Sequence, residues 1–398
     1  MTVRVNKQPL NIREKLSELE RPIGVKGSEL LRTDNIQEAR DAVRAGRKNI
    51  IINGDMRVSQ RNGDNYSENF DGGGKYIVDR FRGYNTGGIV RGVQSTNAPF
   101  GFSHSLKCEV TTANSPRTTS AWSGIYYTVE GYDAAHLKWN TVSNGKPATL
   151  SFWVRSSVVG KYSVHVRDLG TTRSFAAPYF INEPDIWEHK KITIIPPNSG
   201  TFGTSNNMAF SFFWSLDMGF STGYETNNLG YWEANGNKFG VEGMAPFFST
   251  AGNTFYMTGV QLEVGGDATD FEHRHYGEEL ALCQRYYEKF SADDTNGGYA
   301  TFMTCSKNSN TILVAHPVFR VPKRAPGATL TFGGLMRISN VEEGETNITL
   351  TGVNNYQLGT HGGYLVLTMT SNSHGNGDAF RLEGRGDTTA YMAFSSEL

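Results

Sequence analysis

The chain has few cysteines and no long apolar run, which excludes several classes of protein. Cys108, Cys283 and Cys305 are the three cysteines among its 398 residues, and three cannot all pair within one chain. We expect Cys108 and Cys283 to be small core residues and the protein to be made in a reducing cytoplasm. No apolar run of about 18 residues is present, and the first residues show no secretion-signal pattern. We therefore expect no membrane insertion.

An excess of charge of one sign is also missing. Lys and Arg number 38 and Asp and Glu number 39, for a formal net charge of −1. Proteins that bind nucleic acid or anionic membranes need a positive field. We therefore expect no nucleic-acid partner.

Most of the common catalytic patterns are also missing from the sequence. It contains no His-Glu-x-x-His and no phosphate-binding loop. No internal repeat of fixed period is found. The acidic residues show no spacing that forces two carboxylates to face one cleft, as glycoside hydrolysis requires. We expect no catalytic residues, and hence a protein that is not an enzyme.

What the sequence does contain is a β pattern, with 45 glycines and 12% aromatic residues. Apolar and polar residues alternate along 149–154 and 162–166, and turn-forming sequences such as Asn144-Gly145 separate the apolar runs. Strands are predicted at 105–110, 123–129, 148–155, 161–167, 187–195, 208–214 and 255–264. The predicted fold is mainly β: a jelly-roll β-sandwich with short N-terminal helices, one helix after the sandwich and a small C-terminal β domain.

Two segments bracket the sandwich. Residues 49–62 read NIIINGDMRVSQRN, and residues 254–290 read TFYMTGVQLEVGGDATDFEHRHYGEELALCQRYYEKF. Each contains a run with strand character before a turn, at Ile50–Ile52 and at 255–264. We expect these to be the first and last strands, lying side by side to close one domain.

The predicted domains are an attachment and oligomerisation segment at 1–48, the sandwich at 49–275, a connecting helix at 276–295 and a β tip at 296–398. Within the tip, strands are predicted at 312–315, 328–332, 347–350, 363–369 and 391–394. The first segment carries a net charge of +4. It is predicted to contain two short helices that are only marginally stable alone, each with one narrow apolar stripe. We expect these stripes to pack on other copies of the chain. The alternative is that the segment is a disordered leader. The stripe residues are Ile12, Leu16, Leu19, Ile36, Ala39 and Val43.

The bracketing motifs also carry a resemblance. INGDMRVSQR together with TGVQLEVGGDATDFEHR and EELALCQRYY resembles a carbohydrate-binding-module-like jelly roll of bacteriophage tail-fibre and other virion proteins. LLRTDNIQEARDAV is similar to the segment that often precedes the distal domains of phage tail fibres. The resemblance implies a receptor-binding fibre of the virion tail, synthesised in the host bacterial cytoplasm.

Such a fibre would be a homotrimer that is joined to other tail proteins by its N-terminal segment and adheres to host surface polysaccharide or lipopolysaccharide. Two alternatives stay open. One is a virion adaptor or capsid decoration protein without receptor binding, and the other is a free carbohydrate-binding module.

Aromatic residues provide the candidate glycan contacts, because sugar rings stack their apolar faces on exposed rings. Two clusters have a suitable composition, and their rings could equally be core residues: Trp122 and Tyr126 in the first, and Tyr224, Tyr231 and Trp232 in the second. Trp153 and Trp214 lie in alternating strands and are expected in the core.

A structural Ca²⁺ is one candidate metal, since jelly rolls of the carbohydrate-binding kind often hold one where their first and last strands meet. The candidate ligands are Asn53, Asp55 and Glu263, and the alternative is ordinary hydrogen bonding within a turn. His273 and His275 form either a metal pair or a surface turn. Asp79 and Arg80 are expected to pair and lock a strand end. No other cofactor is expected.

Overall fold

The computed structural model describes residues 48–398 apart from 68, 71, 73, 116, 119, 120, 141–143, 220–222, 293–296, 341–343, 371–374 and 376. Residues 49–398 form one compact unit. The helical stripes predicted at Ile12, Leu16 and Leu19 and at Ile36, Ala39 and Val43 lie outside the described residues and stay predictions. No described helix is long and apolar enough to span a bilayer.

The fold class predicted from the sequence is confirmed, because the first part of this unit is a β-sandwich of jelly-roll type. Its strands are β1 (Lys75–Val78), β2 (Phe81–Asn85), β3 (Ile89–Ser95), β4 (Ser105–Thr112), β5 (Trp122–Glu130), β6 (Ala148–Ser156), β7 (Gly160–Asp168), β8 (Ser174–Ile181), β9 (Glu188–Ile194), β10 (Met208–Met218), β11 (Glu225–Thr226), β12 (Trp232–Glu233), β13 (Gly240–Val241) and β14 (Thr254–Val264). A short helix α1 (Gly131–Ala134) and 3₁₀ turns at Ala135–Leu137 and Phe247–Ser249 interrupt them.

The strands form two antiparallel sheets. Sheet A has the order β3-β4-β14-β6-β9, and sheet B has the order β1-β2-β5-β10-β7-β8-β12. The short strands β11 and β13 pair in parallel beside them. Alternating residues fill the space between the sheets, as Leu150, Phe152 and Val154 do from β6. Complete burial of such a side chain contributes roughly 1.5–3 kcal/mol.

The opening segment lies beside β14 as predicted, but it is not a strand. Ile50 N–H donates to Leu262 O (2.9 Å), and Val260 N–H donates to Gly54 O (2.8 Å). β14 has an irregularity between Thr258 and Gln261 at this point. A Cβ at Gly54 would lie 2.1 Å from Val260 O, so the approach of the two backbones requires glycine.

Charged residues of the closing motif form further hydrogen bonds with the opening segment. Arg274 Nη1 donates to Ile51 O (2.9 Å) and lies 3.3 Å from Glu279 Oε1, and Asn53 N–H donates to the same carboxylate oxygen (2.5 Å). Both carboxylate and guanidinium are buried. The two bracketing motifs are therefore two halves of one hydrogen-bonded structure.

The helix after the sandwich is shorter than predicted. α2 (Tyr276–Gln284) begins with His275 as its cap, and the predicted end at residue 295 is wrong because β15 (Tyr287–Ser291) pairs with a strand near the end of the chain. Cys283 and Tyr286 cover the opening segment at Ile52 and Val58. Cys108 and Cys283 are buried free thiols, as expected.

The tip consists of β15 and the strands β16 (Thr301–Ser309), β17 (Ile312–His316), β18 (Thr329–Gly333), β19 (Met336–Asn340), β20 (Gly344–Ile348), β21 (Leu350–Leu358), β22 (Gly363–Met369), β23 (Ala379–Gly384) and β24 (Tyr391–Ser395). Its sheets have the orders β15-β24-β18 and β20-β19-β23-β16-β17-β22-β21. They enclose a hydrophobic cluster separate from that of the sandwich. The predicted strand at 347–350 straddles the boundary between β20 and β21.

Buried ion pairs join the tip to the sandwich. Arg285 Nη2 donates to Glu130 (2.5 Å), and the guanidinium of Arg80 pairs with Glu397. The predicted pairing of Arg80 with Asp79 is thus wrong. Asp79 instead accepts from Gln60 N–H (3.0 Å), and burial raises its pKa to about 6.

Candidate functional site

The first predicted aromatic cluster lies on the outer face of sheet B, where its rings cover one another. Trp122 stacks between Tyr84 and Phe239, with ring centroids 4.2 and 4.4 Å away. Tyr126 is buried beside them, and its hydroxyl accepts from Arg167 Nη2 (3.1 Å). A ligand would therefore meet mainly the edges of these rings.

The second predicted cluster does not form one surface. Tyr224 packs toward Phe239 and so joins the first cluster, at 5.9 Å. Trp232 points toward the sandwich and donates from Nε1 to Ile195 O (2.8 Å). Tyr231 is 69% exposed. The glycan-binding role of the five residues stays a prediction, and Tyr231 has the most accessible ring of the second cluster.

The predicted calcium ligands all have protein partners. Asn53 Nδ2 donates to Val58 O (2.8 Å), Asp55 pairs with the guanidinium of Arg57, and Glu263 accepts from Thr269 N–H (2.7 Å). These contacts match ordinary hydrogen bonding within a turn, which was the alternative to a calcium site.

In the part of the chain that the structure describes, no group of three or more His, Cys, Asp or Glu side chains is placed to hold a metal ion. His275 caps α2 by accepting from Gly277 N–H (3.2 Å), whereas His273 packs on Phe271 at 4.9 Å. Calcium binding therefore stays a prediction.

The outer face of sheet A carries a groove that was not predicted from the sequence. It has a volume of about 390 Å³. We call it the sheet groove, and its lining includes Phe100, Phe102, Trp153, His189, Lys191 and His273.

Strand register explains how β6 and β9 form the floor of the sheet groove. Successive side chains of a strand point to opposite faces of the sheet. Phe152 and Val154 of β6 point inward and fill the core, so Ser151 and Trp153 point outward into the groove. Trp153 is opposite His189 of β9, with ring centroids 5.0 Å apart. Trp153 is half-buried, so its expected place in the core is wrong, whereas Trp214 is fully buried as expected.

A loop between β3 and β4 forms one wall of the groove. Phe102 packs edge-on against Phe271, with centroids 5.1 Å apart. Gly259 lies under this ring at φ +62°, and a Cβ there would come within 2.7 Å of it. Phe100 is fully exposed at the loop tip, at 105% of its reference area. An exposed aromatic ring that adjoins other rings and polar groups is a feature of binding surfaces.

The groove has polar groups beside its rings. Lys191 supplies a cation, and Ser151 and Asp270 supply hydroxyl and carboxylate oxygens. Burial lowers the pKa of His189, and the charges of Lys191 and Lys190 lower it further. His189 is therefore neutral at pH 7 and can both donate and accept a hydrogen bond.

The sequence contained two signals for this site. In the alternating run of β6, Trp153 shares the face of Thr149 and Ser151, which is the polar face. Phe100 lies between turn-forming residues in the stretch Asn97-Ala98-Pro99-Phe100-Gly101, where a core position is unusual.

Comparison with known proteins gives only distant likenesses. No family model and no curated protein matches the sequence. Among solved structures, the enzymatically active domain of tailspike protein 4 of bacteriophage CBA120 is similar to 55% of the chain, at 13% identity and a TM-score of 0.30, and the match spans 21% of that chain.

The family 11 carbohydrate-binding module of a Clostridium thermocellum cellulosomal cellulase is similar to 51% of this chain and 99% of its own, at 15% identity and a TM-score of 0.26. An exo-β-agarase is similar to 52% of this chain and 28% of its own, at 10% identity and a TM-score of 0.29. The fold assignment rests on the sheets described above.

Proposed function

We propose that this protein is a glycan-binding adhesion protein of a bacteriophage virion, a tail fibre that binds host surface polysaccharide or lipopolysaccharide without performing chemistry. The observation that carries the proposal is the sheet groove, in which exposed and half-exposed rings stand beside polar groups. The resemblance of the bracketing motifs to phage fibre modules supports the viral assignment.

The shape and composition of the sheet groove suit a saccharide. A pyranose has an apolar face and a rim of hydroxyl groups, so it needs a ring to stack on and hydrogen-bonding groups at the side. Trp153 offers the ring on the groove floor. Phe100 offers a second one at the wall, and His189 and Lys191 offer polar contacts.

A trimer would strengthen such binding. Linking weak sites in one assembly raises the overall affinity by roughly 10²–10⁴-fold. We propose that residues 1–48 assemble the trimer and attach it to other tail proteins, because this segment has short amphipathic stripes that need a partner. The virion tail is the location that follows from this proposal.

Substitution of groove rings tests the glycan site. In Phe100→Ala and Trp153→Ala we expect the Kd for host surface polysaccharide to rise about tenfold, because each variant removes a stacking ring. Phe100→Ala leaves the fold intact, since the ring is fully exposed. Binding is measured by titration calorimetry, and folding by circular dichroism.

Tyr356→Ala is the matched control, since Tyr356 is a 41% exposed ring of the tip. Unchanged binding by both groove variants would refute the sheet groove as the site. If Tyr231→Ala alone weakened binding, the predicted loop cluster would be the site instead. No binding by the native protein would favour the adaptor or decoration alternative.

A further inference from the structure

A second groove lies where the sandwich, α2 and the tip meet. It has a volume of about 570 Å³. We call it the junction groove, and its lining includes Arg61, Asn62, Tyr276, Lys289, Arg320 and Tyr391. It is formed by different strands and loops from the sheet groove and shares no lining residue with it.

Three cations line the junction groove. Arg61 is held between the rings of Tyr76 and Tyr287, at 3.9 and 3.7 Å from their centroids. Lys289 lies over the ring of Tyr391 at 5.3 Å. The side chain of Arg320 is 52% exposed. Its guanidinium carbon lies over the ring of Phe290, 4.9 Å from the ring centroid.

The acidic residues nearby only partly compensate these cations. Asp64 also lines the groove. Arg61 has Glu397 at 3.1 Å and Asp79 at 3.8 Å. Arg320 has Glu288 at 3.8 Å, but that carboxylate makes its short contact with Lys323 (2.5 Å). Arg320 is therefore placed to bind another anion.

Two polar atoms of the lining residues form no hydrogen bond in the described part of the chain, although one of them, Arg61 Nη1, lies 3.8 Å from Asp79 Oδ1. The other is Ser59 Oγ, and both atoms are buried. A buried donor without an acceptor is unfavourable, so a ligand that supplies acceptor oxygens would be favoured here.

The remaining lining resembles a saccharide site more than a simple ion site. The ring of Tyr276 is 50% exposed. Amide groups of Asn62 and Gln284 and hydroxyls of Thr388 and Thr389 surround the cations. Such groups match the hydroxyl groups of a sugar, while a guanidinium matches a carboxylate or phosphate.

We propose that the junction groove is a second binding site, which takes an acidic saccharide bearing a carboxylate or phosphate group. Arg320 and Lys289 bind the anionic group, and Tyr276 stacks on the sugar ring. This site is independent of the sheet groove, so either can fail without the other.

Charge-removing variants of the full chain test the junction groove. The probes are tetragalacturonate for the carboxylate, glucose 1-phosphate for the phosphate, and neutral cellotetraose of the same length as the uronate. In Arg320→Gln and in Lys289→Gln we expect the Kd for an acidic probe to rise about tenfold by calorimetry, because a charge-assisted hydrogen bond is lost. Arg320→Lys should recover part of the affinity.

Three controls separate this site from general effects of charge. Arg385→Gln removes an exposed arginine outside the groove and should leave the Kd unchanged. Trp153→Ala should weaken binding at the sheet groove alone. Tyr276→Ala should weaken binding of the acidic saccharides and leave that of inorganic phosphate unchanged.

Several outcomes would overturn the proposal. They are equal binding of cellotetraose, no effect of Arg320→Gln, or inorganic phosphate or polyglutamate binding as tightly as the acidic saccharides. Preference for tetragalacturonate or for glucose 1-phosphate would identify which acidic group the site takes.

Discussion

At the scale of single residues, Gly54 shows how closely the opening segment approaches β14. Its carbonyl accepts from Val260 N–H, and the position of its missing Cβ is 2.1 Å from Val260 O. Both contacts involve backbone, which cannot move aside as a flexible side chain can. The close packing of the opening segment on β14 therefore requires that residue 54 has no side-chain methyl group.

Gly54→Ala tests this packing. We expect the free energy of unfolding to fall by about 1–3 kcal/mol, since an added methyl group must displace backbone. Gly266→Ala is the control, because nothing lies within 4 Å of a Cβ there. Urea denaturation followed by tryptophan fluorescence measures both. Equal stability of the two variants would show that the approach of Gly54 to Val260 O is not tight.

At the scale of elements, β12 shows how a strand of two residues holds the long connection between β10 and β14 against the sandwich. It pairs with β8 at the edge of sheet B, with Trp232 opposite Phe175. The ring of Trp232 meets Trp139 and Phe202 edge-on, at 5.8 and 5.5 Å. Its indole N–H also donates a hydrogen bond to the backbone carbonyl of Ile195, so Trp232 anchors this connection to the sandwich.

Two neighbouring substitutions separate this anchor from an exposed binding ring. We expect Trp232→Ala to lower the free energy of unfolding by about 2–4 kcal/mol, because it removes a large packed ring and a hydrogen bond. Tyr231→Ala should change it by less than about 0.5 kcal/mol, since that ring is exposed. Thermal unfolding measures both. A Trp232→Ala protein as stable as the native one would contradict the anchoring role.

At the scale of the whole molecule, buried charges determine how the sandwich and tip fit together. Arg80 with Glu397 and Glu130 with Arg285 join the two parts, and in each pair at least one partner is almost fully buried. Such pairs add little net stability but strongly disfavour arrangements that would leave one charge alone. The junction groove is therefore lined by elements that are held in a defined arrangement.

Solution mass tests the proposed assembly at this scale. Light scattering on the full chain should give three times the 43.9 kDa chain mass. A shortened chain beginning at Asn49 should be a monomer, because it lacks the segment proposed to assemble the trimer. A trimer that survives the truncation would assign assembly to the sandwich or tip. A monomeric full chain would contradict the fibre proposal and favour a free binding module.

Part of the candidate site was predictable from the sequence and part was not. The loop position of Phe100 and the polar face of Trp153 were readable in the local pattern. The mutual covering of Trp122 and Phe239 was not, since these rings come from separate strands and loops. Composition indicated which stretches are rich in aromatic residues but could not distinguish a ring facing solvent from one facing another ring.

The sequence by itself determined the sandwich, because period-two alternation and turn residues act within a few neighbouring positions. It also determined that the segments at 49–62 and 254–290 belong together, through their matched motifs. Only the tertiary structure decided that the helix ends at Gln284, since the pairing of β15 with β24 outweighs local helical preference. It likewise decided that Arg80 pairs with Glu397, 317 residues further along the chain. Contacts at such separations depend on the folded path of the chain, which no local pattern encodes.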